Sequence, residues 1–292
     1  MDKANEPDII IRPLAGLSEM HAAEKLQQEV WGIGDLETVH AAEMIAVQHA
    51  GGTVIGAFAG AELIGFVYGF PGYENGHVTI HSHLAAVKSA WRNYQTGARL
   101  KQAQRADALA RGISEITWTY DPLQSMNAHF NFAKLGVTTR NYKVNFYGAE
   151  MTILVPGIGT DRFWVSWNLD SERVRRRSEG LPAQPDPAEE LSTAEKLVEM
   201  TPGNVPRLNA EVKLTNSADA LSLLVDIPAE IAAVQRESNE LAIAWRETTR
   251  EAFTSAFAAG YTAIEFFRQQ DQESRYGSYL LCPSARADKY LR

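Results

Sequence analysis

The stretch that decides the fold is residues 84–100, LAAVKSAWRNYQTGARL, which runs from an apolar strand through a short loop into a helix. The strand is predicted over 77–87 and the helix over 94–111. Unpaired backbone N–H groups and the helix dipole at such a junction attract phosphate. Gly97 leaves room for close approach, and Arg92 adds a cation. The stretch therefore predicts a diphosphate site, although Arg-x-x-Gln-x-Gly alone is a weak signal.

Hydrophobic patterning on both sides of this stretch predicts further strands and helices. The predicted strands are 8–12, 53–59, 63–70, 113–120, 137–147 and 161–169, and the predicted helices are 17–31 and 126–135. Residues 60–62 suit a hairpin turn, Ser125 suits a helix N-cap, and Gly136 suits the end of the same helix. This order predicts an α/β (α+β) protein in which helices cover both faces of a mixed sheet.

The chain changes character after residue 170. Residues 171–206 carry five prolines among charged and small residues, which predicts a linker with one short helix near 191–200. The basic run Arg173–Arg177 within it is expected to be a solvated face. Residues 207–292 are predicted to form a smaller α+β region, with strands at 207–227, 261–268 and 276–282 and a helix over 229–259.

Composition excludes several classes of protein. With 292 residues, 45% hydrophobic and 22% charged, the chain can form a sizeable core. The net charge of −8 argues against a nucleic-acid partner. The single cysteine, Cys282, excludes an internal disulfide and disfavours a cysteine-based zinc site. The sequence has neither an apolar run of about 18 residues nor a basic, apolar leader, so we expect a cytoplasmic protein without a membrane span.

The 84–100 stretch resembles the acyl-CoA-binding segment of the GNAT acetyltransferases, Arg/Gln-x-x-Gly-x-Gly/Ala after a strand that ends in Ala-Val. Arg92 and Gly97 fall in register, and Val87 lies where the family's strand splays from its neighbour. Gln95 replaces the first glycine of the motif. It can still offer its backbone N–H provided that its side chain points away from the phosphates.

The resemblance extends beyond the loop. Residues 125–136, SMNAHFNFAKLG, look like the family's later helix, and residues 8–170 follow its element order. The sequence of residues 116–136 resembles that of an uncharacterised predicted-acetyltransferase group that carries a C-terminal extension. The resemblance implies a GNAT-like, mostly antiparallel sheet in a domain over 1–170, followed by the linker and the C-terminal region.

The same resemblance implies which residues hold the donor. The backbone around Ala85 and Val87 would bind the pantetheine arm, and one N–H there would polarise the thioester carbonyl. The diphosphate would lie on Arg92, Asn93, Gln95, Thr96, Gly97 and Ala98. Asn127 either binds the pantetheine arm or caps its helix. The co-substrate is acetyl-CoA or another acyl-CoA, and no metal is expected.

His81 and His83 lie two residues apart in the predicted strand, so both imidazoles should line one face, with Ser82 on the other. An imidazole is a suitable acceptor for the proton that an amine must lose before it attacks a thioester. The arylalkylamine branch of the family also has His-x-His here, for proton removal. Two other interpretations stay open: histidines hydrogen-bonded within the sheet, and a metal site that lacks an obvious carboxylate ligand.

The position of the family's usual proton donor to the leaving thiolate differs in this chain. The family often has a tyrosine where this chain has Phe132. Tyr142 and Tyr147 are the alternative candidates, although each also suits a packing role. Arg246 and Arg250, on the predicted C-terminal helix, could bind a carboxylate on the acceptor or on a succinyl group.

Taken together, the sequence predicts an N-acyltransferase that moves an acetyl group from acetyl-CoA to a small amine or amino acid. One alternative uses succinyl-CoA or another acyl-CoA with an amino-acid acceptor. A second is a module that binds acyl-CoA without turnover. Residues 207–292 could complete the acceptor pocket, form the interface of a homodimer, or be a degenerate second half-fold.

Overall fold

The computed structural model describes residues 7–148, 157–184, 186–217, 219–270 and 275–291. By compactness the chain divides into a first unit, Met1–Trp118, and a second unit, Thr119–Arg292. This partition differs from the predicted one at residue 170, because residues 119–170 group with the C-terminal region. None of the helices in the described residues is long and apolar enough to cross a membrane.

The first unit is a sheet with helices on both faces. Its elements are β1 (Ile9–Pro13), α1 (Gly16–Trp31), α2 (Ala41–His49), β2 (Thr53–Ala59), β3 (Glu62–Glu74), β4 (His77–Val87), α3 (Thr96–Ala110) and β5 (Glu115–Tyr120), whose last two residues belong to the second unit. The strands lie in chain order, antiparallel except for the parallel pair β4–β5. The prediction of a mixed, mostly antiparallel sheet is confirmed.

Two hydrophobic clusters hold this sheet. On one face, α1 and α2 contribute Met20, Leu26 and Met44 to a cluster with Phe66 of β3. On the other face, Leu100 of α3 packs with apolar residues of β1, β2 and β3. Burying this apolar area is the main stabilising contribution to the unit.

Strand β4 has a β-bulge against β3. Tyr68 lies opposite Leu84 and Gly69 lies opposite Ser82, so His83 is the extra residue of the bulge and has no partner on β3. Gly69 is required at this point. A Cβ atom there would lie 2.9 Å from the carbonyl oxygen of His81 and 3.0 Å from Nε2 of Gln104.

We expect Gly69→Ala to destabilise the protein by about 1–3 kcal/mol, because backbone atoms of β4 cannot move away from the added methyl group. Urea unfolding would measure the loss. Gly34→Ala is the matched control, since a Cβ there approaches only the flexible end of Glu37, at 3.2 Å. Equal stability of the two variants would show that the bulge is not tightly packed.

The second unit contains a five-stranded sheet and most of the remaining helices. Its elements are α4 (Ser125–Ala128), a π-helical turn (His129–Leu135), β6 (Tyr142–Lys143), β7 (Arg162–Asn168), α5 (Glu172–Ser178), α6 (Ala188–Leu191), β8 (Glu195–Thr201), β9 (Val205–Leu208), β10 (Leu223–Pro228), α7 (Ile231–Glu237), α8 (Asn239–Ala258), β11 (Tyr261–Gln270), β12 (Arg275–Pro283) and α9 (Ser284–Leu291). The sheet order is β11-β12-β10-β8-β9.

Residues 171–206 differ most from their prediction. The stretch predicted as a linker forms α5, α6, β8 and the start of β9, and 195–201 is a strand rather than part of a helix. Arg173 is only 3% exposed. Its Nε donates to the carbonyl of Gly136 at 3.0 Å, and its Nη2 donates to that of Ile264. The expectation of a solvated basic face was therefore wrong for Arg173, which satisfies buried carbonyl groups.

Two other elements of the second unit also differ from their predicted boundaries. The predicted helix 229–259 is two helices, because Ser238 has extended backbone and its hydroxyl accepts from the N–H of Leu241 as an N-cap. Of the strand predicted near 137–147, only Tyr142–Lys143 pairs regularly among the described residues.

Candidate functional site

The loop between β4 and α3 has the geometry of an anion site. A 3-10 segment (Ser89–Tyr94) follows β4, and Gln95 then adopts a left-handed conformation with φ of 56°. This conformation is uncommon outside glycine and is found at functional sites. Gln95 turns the chain directly into α3 and thereby takes the place of the glycine that the motif would have there.

The first amides of α3 are unpaired. The first backbone donor bonded inside the helix is Arg99, whose N–H reaches the carbonyl of Gln95 at 2.9 Å. Within the described residues, the backbone N–H groups of Thr96, Gly97 and Ala98 have no hydrogen-bond acceptor, and no side chain caps the helix. Three donors and the positive end of the helix dipole are therefore available to a bound anion.

Side chains around the loop fix its shape. Arg92 Nε donates to the carbonyl of Val87 at 3.2 Å, which holds the guanidinium beside the end of β4. Thr96 is buried, and its hydroxyl donates to the carbonyl of Trp91 at 2.8 Å. Asn93 and the Gln95 side chain are exposed. Thr96 therefore closes the loop with its side chain and contributes only its N–H to the anion site.

Strand β4 presents a free edge next to this loop. Lys88 N–H donates to Ile64 of β3 at 2.9 Å, so by antiparallel alternation the backbone groups of Val87 and Ala85 point away from β3. On that side, β5 pairs with β4 only at Ile80 and His81 within the described residues. The residues predicted to bind acyl-CoA, Ala85 and Val87, thus lie beside the loop on an edge that pairs with no strand in the described residues, where the Val87 carbonyl accepts from Arg92.

His81 and His83 share one face, as predicted. Their ring centroids are 6.3 Å apart, and both rings lie against Phe70, at 5.2 and 5.7 Å. The His83 ring also meets that of Tyr68 edge-on. Both imidazoles lie on one face because residues two apart in a strand project from the same side, and the bulge then places Leu84 on that face as well.

The two imidazoles differ in exposure. His81 is buried, and burial lowers its pKa to about 4, helped by His83 and Lys101. His83 is exposed, although partial burial also lowers its pKa, against the opposing effect of the Glu43 carboxylate. Both rings are therefore neutral at pH 7, and the lowered pKa makes His81 a weaker base than a free imidazole.

Sequence reasoning missed the groups that contact these histidines. His81 Nδ1 is 3.2 Å from the hydroxyl of Thr117, which in turn donates to Glu74 Oε1 at 2.8 Å. Beside His83, the Tyr68 hydroxyl donates to Glu43 Oε1 at 2.9 Å. Glu43 lies on α2, which was not predicted. The parallel register of β4 and β5, which sets Thr117 beside His81, would have identified that residue.

The opposite face of β4 carries a buried polar network. Ser82 donates to Gln104 Oε1 at 3.0 Å, and Lys101 Nζ donates to Ser82 at 3.0 Å and to Gln104 at 2.8 Å. The Lys101 ammonium also lies 3.9 Å from the Trp118 ring centroid. Burial lowers the pKa of Lys101 to about 7. Ser82 thus faces away from the histidines, as predicted, and is tied to α3.

The remaining predicted residues belong to the second unit. The Tyr142 hydroxyl donates to Asp161 Oδ2 at 2.6 Å, and burial raises its pKa well above the usual value, with Asp161 acting in the same direction. Asn127 is exposed on α4. Phe132 is fully buried against Tyr279. Tyr147 lies 3.3 Å from the Thr119 hydroxyl, oxygen to oxygen.

The arginines of α8 contact the chain's own carboxylates. Arg246 Nη2 donates to Asp121 Oδ2 at 2.7 Å, with both side chains almost fully buried. Arg250 forms a two-point ion pair with Asp161, at 2.7 and 3.0 Å. The possibility that these guanidinium groups bind a carboxylate on a substrate stays a prediction, and both groups form ion pairs with aspartates of the second unit.

Metal ligands are not grouped in the described part of the chain, where no three His, Cys, Asp or Glu side chains lie close enough together to hold an ion. The contacts of His81 and His83 include the Thr117 hydroxyl and the rings of Phe70 and Tyr68.

No protein-family model and no curated protein matches the chain. The solved structures that are similar to a little over half of it include the following three. The ribosomal-protein-S18-alanine N-acetyltransferase of Escherichia coli covers 56% of this chain and 96% of its own, at 11% identity and a TM-score of 0.45. A GNAT family acetyltransferase of Elizabethkingia anophelis with acetyl-CoA bound matches 55% of this chain over 97% of its own length, at 17% identity and a TM-score of 0.41. Arabidopsis thaliana Naa50, in complex with a bisubstrate analogue, matches 54% of this chain over 97% of its own length, at 14% identity and a TM-score of 0.43.

Proposed function

We propose that this protein is a GNAT-type N-acyltransferase that moves the acyl group of acyl-CoA to an amine. The observation that carries the proposal is the set of unpaired amides at Thr96, Gly97 and Ala98, next to the unpaired edge of β4. The free N–H groups can donate hydrogen bonds to a diphosphate, and the strand edge can pair with the amide groups of an extended pantetheine arm. The sequence motif supports the same function independently.

In this proposal the donor lies along residues 85–98. The diphosphate accepts from the three free amides and from Arg92, with Asn93 and Gln95 at the exposed rim. The pantetheine arm exchanges hydrogen bonds with the outward backbone groups of Ala85 and Val87. One N–H of this edge polarises the thioester carbonyl as negative charge develops on its oxygen. Asn127 remains a predicted contact to the arm.

The acceptor amine loses a proton before it attacks. Deprotonating an ammonium group at pH 7 requires on the order of 1.5–4 kcal/mol. His83 is exposed and neutral, so it can take this proton directly or through water. His81 lies behind it as a second, more buried base. The amine nitrogen then attacks the thioester carbon, the carbon–sulfur bond breaks, and the sulfur leaves as thiolate while the nitrogen releases its second surplus proton to solvent.

Protonation of the thiolate needs little assistance. A thiol with a pKa near 8.5 leaves as thiolate at pH 7 at a cost of about 2 kcal/mol, which solvent can offset. Tyr142 stays the predicted donor of this proton. Burial and the hydrogen bond that its hydroxyl donates to Asp161 make Tyr142 a weaker acid than a free phenol.

The acceptor proposed here is a small amine or amino acid, and the proposed donor is acetyl-CoA. The succinyl-CoA alternative loses one support, because Arg246 and Arg250 are paired with aspartates. The exposed carboxylate of Glu43 beside the His83 face favours a cationic acceptor over an anionic one. A cytoplasmic location and a homodimer remain predictions.

We expect Arg92→Ala to weaken CoA binding about tenfold or more, because it removes a charged contact to the diphosphate worth about 1.5–3 kcal/mol. Isothermal titration of CoA would measure the change. Titration of S-acetylpantetheine, which lacks the diphosphate, is the matched control and should give the same affinity for both proteins. No binding of CoA by the unaltered protein would refute the proposed function.

A further inference from the structure

We propose that Thr117 and Glu74 are positioning residues that hold His81 in the tautomer with its proton on Nδ1 and its lone pair on Nε2. The catalytic part of this proposal rests on the proposed function, since it assumes that His81 serves as a base. The tautomer itself can be measured in the resting protein, without substrate.

The contacts form a chain across three strands. His81 of β4 and Thr117 of β5 are paired residues of the parallel ladder, so their side chains stand next to each other on one face. Glu74, at the end of β3, reaches Thr117 across β4. The two links are 3.2 Å from Nδ1 to the hydroxyl oxygen and 2.8 Å from that oxygen to Glu74 Oε1.

The direction of these hydrogen bonds sets the position of the proton. A hydroxyl group has one proton, and that of Thr117 is donated to the Glu74 carboxylate, which can only accept. Toward His81 the same oxygen therefore acts as acceptor. Nδ1 must then carry the proton of the neutral ring, and Nε2 carries the lone pair.

This arrangement has a chemical use. An imidazole in solution mostly carries its proton on Nε2, so the Nδ1–H form has to be selected by its surroundings. Burial keeps His81 neutral, and the Thr117–Glu74 chain fixes both the tautomer and the ring orientation. A ring held in this way keeps its lone pair on one defined nitrogen, as when a carboxylate orients a catalytic histidine.

The test is the tautomer of His81, read from the ¹⁵N chemical shifts of its two ring nitrogens at neutral pH. In the unaltered protein we expect Nδ1 to be protonated and Nε2 not. Thr117→Val removes the hydroxyl at almost constant volume, and Glu74→Leu frees the hydroxyl proton to turn toward Nδ1. Both variants should move the proton to Nε2, whereas Thr117→Ser should restore the original pattern.

Thr79→Val is the matched control. Thr79 lies two residues before His81 on β4, and its buried hydroxyl has no hydrogen-bond partner within the described residues. The same substitution there should leave the His81 shifts unchanged. A protein with Nε2 protonated before any substitution, or shifts that do not respond to Thr117→Val, would overturn the assignment.

Kinetics separates this proposal from the proposed function. Thr117→Val should lower kcat by ten- to a hundred-fold and leave KM for acyl-CoA unchanged, and Thr117→Ser should recover most of the loss. An altered tautomer with unchanged kcat would contradict a role for His81 in turnover. A tautomer that responds as expected in a protein without acyltransferase activity would refute the proposed function and leave the positioning chain intact.

Discussion

The double substitution His81→Gln and His83→Gln is expected to lower kcat by about 10²–10⁴-fold and to leave the affinity for acyl-CoA unchanged. The two imidazoles share the face of β4 that carries Phe70 and Tyr68. The groups assigned to the donor lie elsewhere, on the free edge of β4 and at the start of α3. Thiol release from acyl-CoA with a panel of amines would measure kcat, and isothermal titration would measure binding.

His49→Gln is the control for this experiment, because His49 is exposed at the end of α2. It should keep both turnover and binding. Unchanged turnover in the double variant would remove the histidines from the mechanism. Binding of acyl-CoA by the unaltered protein without turnover on any amine tested would favour the alternative of a non-catalytic module.

Replacing Arg246 with leucine is expected to destabilise the second unit by about 3–5 kcal/mol. The Arg246–Asp121 pair is buried, with side-chain exposures of 2% and 5%. Arg246 Nε also donates to the carbonyl of Ile158 at 3.1 Å. Removing the guanidinium leaves an aspartate with an unpaired charge away from water, and this is more costly than the loss of the attraction itself.

The matched control for this prediction is Arg236→Leu on α7. Arg236 pairs with Glu230 at a similar distance of 3.0 Å, but the two side chains are 69% and 65% exposed. Exposed pairs contribute less than about 1 kcal/mol, so this variant should unfold almost like the unaltered protein. Urea denaturation gives both free energies of unfolding, and comparable losses for the two variants would contradict the role of burial.

Local patterns in the sequence predicted the first unit well. Strand 77–87 was predicted with its observed ends, because its apolar run starts after Asn75 and Gly76, both at positive φ, and ends before the polar loop. Helix α2 was missed because only two of its nine residues, Ala41 and Met44, are buried, which leaves little helical periodicity.

The second unit shows where a pattern is insufficient. Residues 171–206 have the composition of a linker, yet Arg173 is buried because carbonyl groups from two other elements need its donors. Those elements are distant in sequence, so composition contains no information on the contact. The loop at 92–98, between a strand and a helix, was predicted from the residues of one short stretch. Glu74 and Thr117, by contrast, become neighbours of His81 only through the register of three strands.

The bulge in β4 consists of one extra residue, His83, which has no partner on β3. Val87 packs toward α3 and Ala86 toward α1 and α2. If His83 were excised, Ser82 and Leu84 would become adjacent, and residues 81–87 would alternate between the faces like those of an ordinary strand. The bulge therefore adds a second imidazole to the face of β4 that carries His81, without changing which face each residue from Leu84 onward occupies.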